Sequence, residues 1–181
     1  SAALAAAILV LAAFAAAPLA APLAAQEQVD NTIYLTPLGE VNTAVALFFK
    51  ALRNDDKTAL AEHMDARGMI TIHNRMDPQA PKIVFIPVAQ HLENWLKSPT
   101  GIDEQMFNQA VDIDGGMAHV WGPYRFTVGG KTTHCGINSL SLVKTESGWK
   151  VAHTSFTMEQ PSECERLRAP EALAQGIVAD L

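Results

Sequence analysis

AHVWGPYRFTVGGKTTHCGINSLSLVKTESGWKVAHTSFT, residues 118–157, is the stretch that decides the fold. Aromatic and β-branched residues fill three runs, and Gly129-Gly130 and Glu146-Ser147-Gly148 punctuate them. The pattern predicts three antiparallel strands joined by two tight turns, because paired glycines reach the positive φ angles that a two-residue hairpin requires.

Upstream, Val41, Val45, Phe48, Phe49 and Leu52 recur at helical spacing and predict an amphipathic helix. Asn54-Asp55-Asp56 ends it and caps a second short helix over 56–64. Met69–His73 and Lys82–Ile86 read as short strands, with Asp77-Pro78 and Ala80-Pro81 in the loop between them. Pro87 suits the first position of a helix carrying Val88, Leu92, Trp95 and Leu96. Phe107, Val111 and Ile113 alternate through a strand that stops at Asp114-Gly115-Gly116. Beyond Cys164, Pro170 opens either a last short helix or an unstructured tail. Helices gathered ahead of consecutive antiparallel strands make an α+β domain.

Residues 2–25 carry no charge and are mostly Ala and Leu, broken by Pro18 and Pro22. The unbroken apolar run, 2–17, is short for a membrane span of about 20 residues and suits the core of a secretory signal peptide. Cleavage after Ala25 would leave a 26–37 arm, a domain over 38–160 and a tail over 161–181. An uncleaved N-terminal anchor is the rival reading. Every charge then belongs to the mature chain, and the net −6 with scattered Lys and Arg argues against nucleic-acid or anionic-membrane partners. Periplasmic or secreted localisation follows from the signal-like run. The two cysteines, Cys135 and Cys164, fit one disulfide in such a compartment, against two unrelated buried thiols.

"VALFFKALRNDDKTALAEHM" (45–64) and "AHVWGPYRFTVGGKTTHCGINSLSLVKTESGWKV" (118–151) resemble the nuclear transport factor 2-like superfamily, in its SnoaL-like and putative lumazine-binding branch. The resemblance covers roughly residues 38–158. It implies a cone-shaped, curved antiparallel sheet wrapped around N-terminal helices, with an internal pocket and commonly a homodimer through the outer sheet face. The superfamily holds cyclases, isomerases and dehydratases alongside non-catalytic binding domains, so the resemblance does not carry an activity.

Strand alternation divides the candidate residues between two faces. With Gly129-Gly130 as a two-residue turn, Val128 faces Lys131, Arg125 faces His134 and Tyr124 faces Cys135. Matching apolar pairs in the next hairpin sets Leu142 opposite Val151, Leu140 opposite His153 and Asn138 opposite Ser155. One face then carries Arg125, His134, Asn138, His153 and Ser155 with Leu140, Leu142, Trp149 and Val151, and this mixed face is assigned to the pocket. Tyr124, Phe126, Cys135 and Phe156 take the other. Gly122-Pro123 predicts a bulge, which leaves the facing of Trp121 and His119 open.

His134 is the candidate general acid or base. Asn138, His153, Tyr124, Trp121 and Arg125 are the candidate ligand-binding residues, each with a packing role as its alternative. Cys135 and His134 are neighbours on one strand and point to opposite faces, so they form no nucleophilic pair. The six histidines lack metal-ligand spacing, and no glycine-rich phosphate loop or other cofactor motif occurs. Inward carboxylates are scarce: Asp103 and Glu104 fall at a strand start, and Asp65 is the one placed to look inward. The leading expectation is an exported domain binding a small, partly apolar molecule without a cofactor. The alternatives are an enzyme of the cyclase, isomerase or dehydratase type using His134, and a homodimeric structural module.

Overall fold

The computed structural model describes residues 36–171. The signal-like run, the 26–35 stretch of the arm and the tail beyond Glu171 lie outside the described residues. Helix α1 spans Pro37–Arg53. Thr36 caps it by accepting the Gly39 N–H on its hydroxyl at 3.1 Å, and Pro37 occupies the first turn, where its missing N–H costs nothing. Its buried face is Val41, Val45, Phe48, Phe49 and Leu52. The second helix expected over 56–64 is a short 3-10 helix, Lys57–Glu62, capped by Asp56. Chain from Met64 onward is already strand.

Seven strands follow: β1 (Met64–Asn74), β2 (Lys82–Pro87), β3 (Ile102–Met106), β4 (Ala110–Asp114), β5 (Met117–Val128), β6 (Lys131–Thr145) and β7 (Gly148–Met158). Helix α2, Val88–Trp95, follows β2 directly, with Pro87 as its N-cap. The sheet runs β2-β1-β7-β6-β5-β3, with β4 also on β5; β1 pairs β7 in parallel and all other pairings are antiparallel. It is a curved, open sheet in an α+β domain, and α1 and α2 pack on one face of it. The buried stripe of α1 meets Val120, Leu140, Leu142 and Val151 of the sheet there. Each such side chain contributes about 1.5–3 kcal/mol when fully buried.

The strand expected from Phe107 to Ile113 begins only at Ala110, as β4, and a separate strand, β3, ends before it at Met106. Asn108, at φ 45°, turns the chain between β3 and β4. Because that neighbour is interrupted, β5 accommodates Pro123 in unbroken register opposite Ile137. The Pro123 carbonyl accepts the Phe107 N–H at 2.8 Å on the β3 side. Its nitrogen faces the same side, toward the gap, where no ladder bond is lost. The bulge expected at Gly122-Pro123 is therefore absent.

Both hairpins instead carry a bulge that the pairing argument missed. Val128 does face Lys131 across Gly129-Gly130, whose φ angles are 58° and 76°. One extra residue, Thr133, then shifts the register, so that Phe126 faces His134 and Arg125 faces Cys135. In the second hairpin Leu142 faces Val151, but Ala152 is extra, so that Leu140 faces Thr154 and Asn138 faces Phe156. A bulge of one residue moves every side chain beyond it to the opposite face. At Ala152 the neighbouring strand shows why: Gly68 of β1 abuts it so closely that a Cβ there would stand 1.5 Å from the Ala152 carbonyl oxygen.

Cys135 and Cys164 form a disulfide, with Cα atoms 5.6 Å apart. It fastens the 161–169 segment to the sheet face opposite the helices, where both cysteines and Ala169 are fully buried beside Phe107 and Leu167.

Candidate functional site

A cavity of about 170 Å³ lies between the helices and the sheet. Phe48 and Leu52 of α1 and His91 and Trp95 of α2 form one wall; Met64, Ile70, Leu140, Thr154, Phe156 and Met158 form much of the sheet wall. The polar groups converge at one end, on the row Glu104–Phe126–His134 that runs across β3, β5 and β6. Tyr124 and Asn138 complete that end.

Glu104 faces the cavity because it pairs with Phe126 in the β3–β5 ladder. The Asn138 amide donates to Glu104 Oε1 at 2.7 Å. Removal from water pushes the Glu104 carboxyl up to about 7, against the Asn138 hydrogen bond, which favours the charged form; the nearby Asp103 raises it further. His134 stacks on Phe126 at 4.8 Å between ring centroids, and its Nδ1 lies 2.9 Å from Thr133 Oγ1. Burial lowers it to about 4, so it is neutral near pH 7. Tyr124 sits opposite Gly136, and its hydroxyl reaches across that bare position to donate to the Thr157 carbonyl of β7 at 2.8 Å. Gly136 admits no side chain, since a Cβ would stand 1.9 Å from the same carbonyl oxygen. Desolvation keeps the Tyr124 phenol protonated well above its ordinary range.

The shifted registers redistribute the sequence-predicted candidates. His134, Asn138 and Tyr124 line the cavity together; Tyr124 and Phe126 had been assigned to the other face. His153 points to the opposite face, where its Nδ1 accepts the Met69 N–H at 3.1 Å. Arg125 lies on that face too and is buried beneath the 161–169 segment. It donates to the Ala169 carbonyl at 2.8 Å, to Thr132 Oγ1 at 3.0 Å and to Glu165 Oε1 at 3.0 Å, and so clamps the tail. Trp121 is half exposed on the same outer face, near His119, which shares a 2.9 Å hydrogen bond with Ser139. Asp65 does not look inward: it pairs with Arg67, whose guanidinium holds its carboxyl far below the usual range.

Glu104, which the sequence places at a strand start and not inward, is the carboxylate that lines the cavity. Ile102 is buried, and Glu104 and Met106 follow it at period two through a strand that the alternation from Phe107 had started too late. Among the described residues no cluster of His, Cys, Asp or Glu is arranged to hold a metal ion, and no helix is long and apolar enough to cross a membrane.

No family model and no curated protein matches the chain. Solved structures do. An NTF2-like protein of unknown function from Shewanella baltica superposes with a TM-score of 0.52 at 14% identity, over 71% of this chain and 98% of its own. An NTF2-like protein from Cytophaga hutchinsonii gives 0.54 at 11% identity, over 68% and 98%. A protein from Streptomyces avermitilis named a "putative dehydratase from the NTF2-like family" gives 0.50 at 16% identity, over 66% and 93%. The chain therefore has the nuclear transport factor 2-like fold.

Proposed function

We propose that this chain is an exported domain that holds a small, partly apolar molecule in the cavity between α1, α2 and the sheet. The observation that carries the reading is the cavity itself: an apolar lining with a few polar groups, Glu104, Asn138, Tyr124 and His134, gathered at one end. That is the composition of a ligand site. Export is supported by the uncharged run at 2–25 and by the buried Cys135–Cys164 disulfide. The SnoaL-like features of the sequence point the same way.

A cavity of this volume takes a benzene-sized guest. Benzene titrated into the protein is expected to give saturable NMR shifts in the Met64 and Met158 methyls, which line the cavity. Met117, 62% exposed on the outer face, serves as the internal control. Unmoved Met64 and Met158 signals, or equal drift of all three, would remove the reading.

A second reading, an enzyme of the cyclase, isomerase or dehydratase type, is favoured by one feature: a buried carboxyl near 7 in the same row as His134. Such a group is suited to proton transfer at neutral pH. In that reading Glu104 is the stronger acid–base candidate, because a histidine lowered to about 4 is a weak base.

The partner in the assembly is proposed to be a second copy of the chain, seated on the outer sheet face. Phe85 (66% exposed) and Ile83 (62%) of the edge strand β2 and Trp121 (50%) of β5 are large apolar side chains on that face, at its two sides, which a second copy would cover. Light scattering is expected to give a dimer mass for the wild type and a monomer mass for Phe85→Glu. Monomeric wild-type protein at the same concentration contradicts it.

A further inference from the structure

The hydrogen bonds already made inside the cavity restrict what its guest must bring. The Tyr124 proton is given to the Thr157 carbonyl, so the phenol oxygen offers only lone pairs. The Asn138 amide is directed at Glu104 Oε1, and Oε2 has no partner among the described residues. His91 and His134 are both lowered by burial and carry no charge near pH 7. Arg53 of α1 is the cation nearest Glu104, but it donates to the Glu104 backbone carbonyl at 3.1 Å and to Asp103 Oδ1 at 3.3 Å, so its charge is matched by Asp103. Asp103 also accepts from Gln105. The titratable and charged groups around Glu104 and its cavity are thus Arg53 and Asp103, compensating each other; Lys57, a buried ammonium that donates to the Asn54 carbonyl at 2.9 Å and lies over the Trp95 ring; Glu159, paired with Arg75; His91 of α2 and His134 of β6, both lowered by burial; and Tyr124 of β5, a protonated phenol. The cavity end is rich in acceptors, holds one carboxyl and has no Lys or Arg in its lining.

The cavity that this carboxyl lines is walled by the rings of Phe48, Tyr124, Phe126 and Phe156, and by Trp95, over whose ring the Lys57 ammonium already lies at 5.4 Å. Aromatic faces carry negative potential and attract cations, most strongly where water is excluded. The net charge of −6 draws small cations toward the protein as well. We propose that the cavity's ligand is a small organic cation, a protonated amine with an apolar body of about one ring, whose N–H group pairs with Glu104 while its body lies against the aromatic wall. This rests on the reading of the cavity as a ligand site and names the class of ligand. A cation supplies the partner that burial denies to the carboxylate, so binding and ionisation of Glu104 are linked.

The probes are benzylammonium and benzyl alcohol, near-isosteric and differing in charge, measured by titration calorimetry. At pH 8 the amine is expected to bind at least ~10-fold tighter than the alcohol. Below the Glu104 midpoint of about 7, amine affinity should fall roughly tenfold per pH unit as the carboxyl protonates, with proton release visible as a buffer-dependent enthalpy, while the alcohol stays flat. Glu104→Gln should weaken the amine by ~10-fold or more, and the alcohol by clearly less. The pH series needs no variant, so it decides even if Glu104→Gln fails to fold. Equal affinities, a flat amine profile, or unchanged amine binding in folded Glu104→Gln would overturn the proposal. If neither probe binds while benzene still shifts Met64 and Met158, the cation proposal falls and the cavity reading stands. If benzene fails too, both fall.

Discussion

Replacing Cys135 and Cys164 together by alanine is expected to lower the unfolding free energy by about 3–4 kcal/mol. The bond closes a loop with a sequence separation of 29, and the chain-entropy model assigns roughly that stabilisation to a loop of about 30 residues. A domain of about 150 residues loses roughly 2–4 °C of Tm per kcal/mol, so a drop near 10 °C should appear by thermal unfolding. The loss has a local part as well. Arg125, 6% exposed, is covered by the segment that the disulfide fastens, and it donates to Ala169 and Glu165 there. Hydrogen exchange should therefore accelerate over 161–169 before the sheet opens. A double variant as stable as the parent, with unchanged protection of that segment, would mean that the Arg125 contacts alone hold the tail.

The second large effect is on the pH dependence of stability, where two half-buried, cavity-lining groups act in opposite directions. Glu104 is raised from 4.5 to about 7. Between those values the folded state holds a proton that the unfolded state has released, so stability falls as pH rises through the window. His134 is lowered from 6.5 to about 4. Between those values the unfolded state binds a proton that the folded state refuses, so stability rises with pH. Each contributes on the order of 3 kcal/mol across its window. In the wild-type curve these two slopes are expected to oppose each other where the windows overlap. The variants separate them. Wild type minus Glu104→Gln should fall by about 3 kcal/mol from pH 4.5 to 7, and wild type minus His134→Phe should rise by a similar amount from pH 4 to 6.5. Flat difference curves from urea unfolding at each pH would show that these groups keep ordinary pKa values and contact water freely.

How far the sequence could be read depended on what each signal reports. The α1 stripe from Val41 to Leu52, the paired glycines at 129–130 and the three long strands came through directly, because periodicity and turn chemistry are local. The nuclear transport factor 2-like fold was legible from those elements together. The site was legible only in part, because which face a residue takes is set by register, and register is not local. Thr133 and Ala152 each add one residue to a ladder, and each moves the side chains beyond it to the other face. The cause at Ala152 lies about eighty residues away, in Gly68. His134 and Asn138 reached the assigned face, whereas Arg125 and His153 did not, and Tyr124 arrived instead. Glu104 was hidden for a different reason. A carboxylate on a short strand reads as a solvated end until its neighbours, Phe126 and Asn138, are known to come from chain 22 and 34 residues further on.

Ligand binding requires that the space between Phe48, Trp95, Phe126 and Leu140 be open to a guest. A crystal structure of the protein under xenon pressure tests that without choosing a ligand, since xenon enters apolar cavities of this size. A xenon peak is expected within that space, beside the Glu104–Asn138 pair. Absence of a peak there, with Trp95 or Phe156 turned inward to fill the volume, would contradict it.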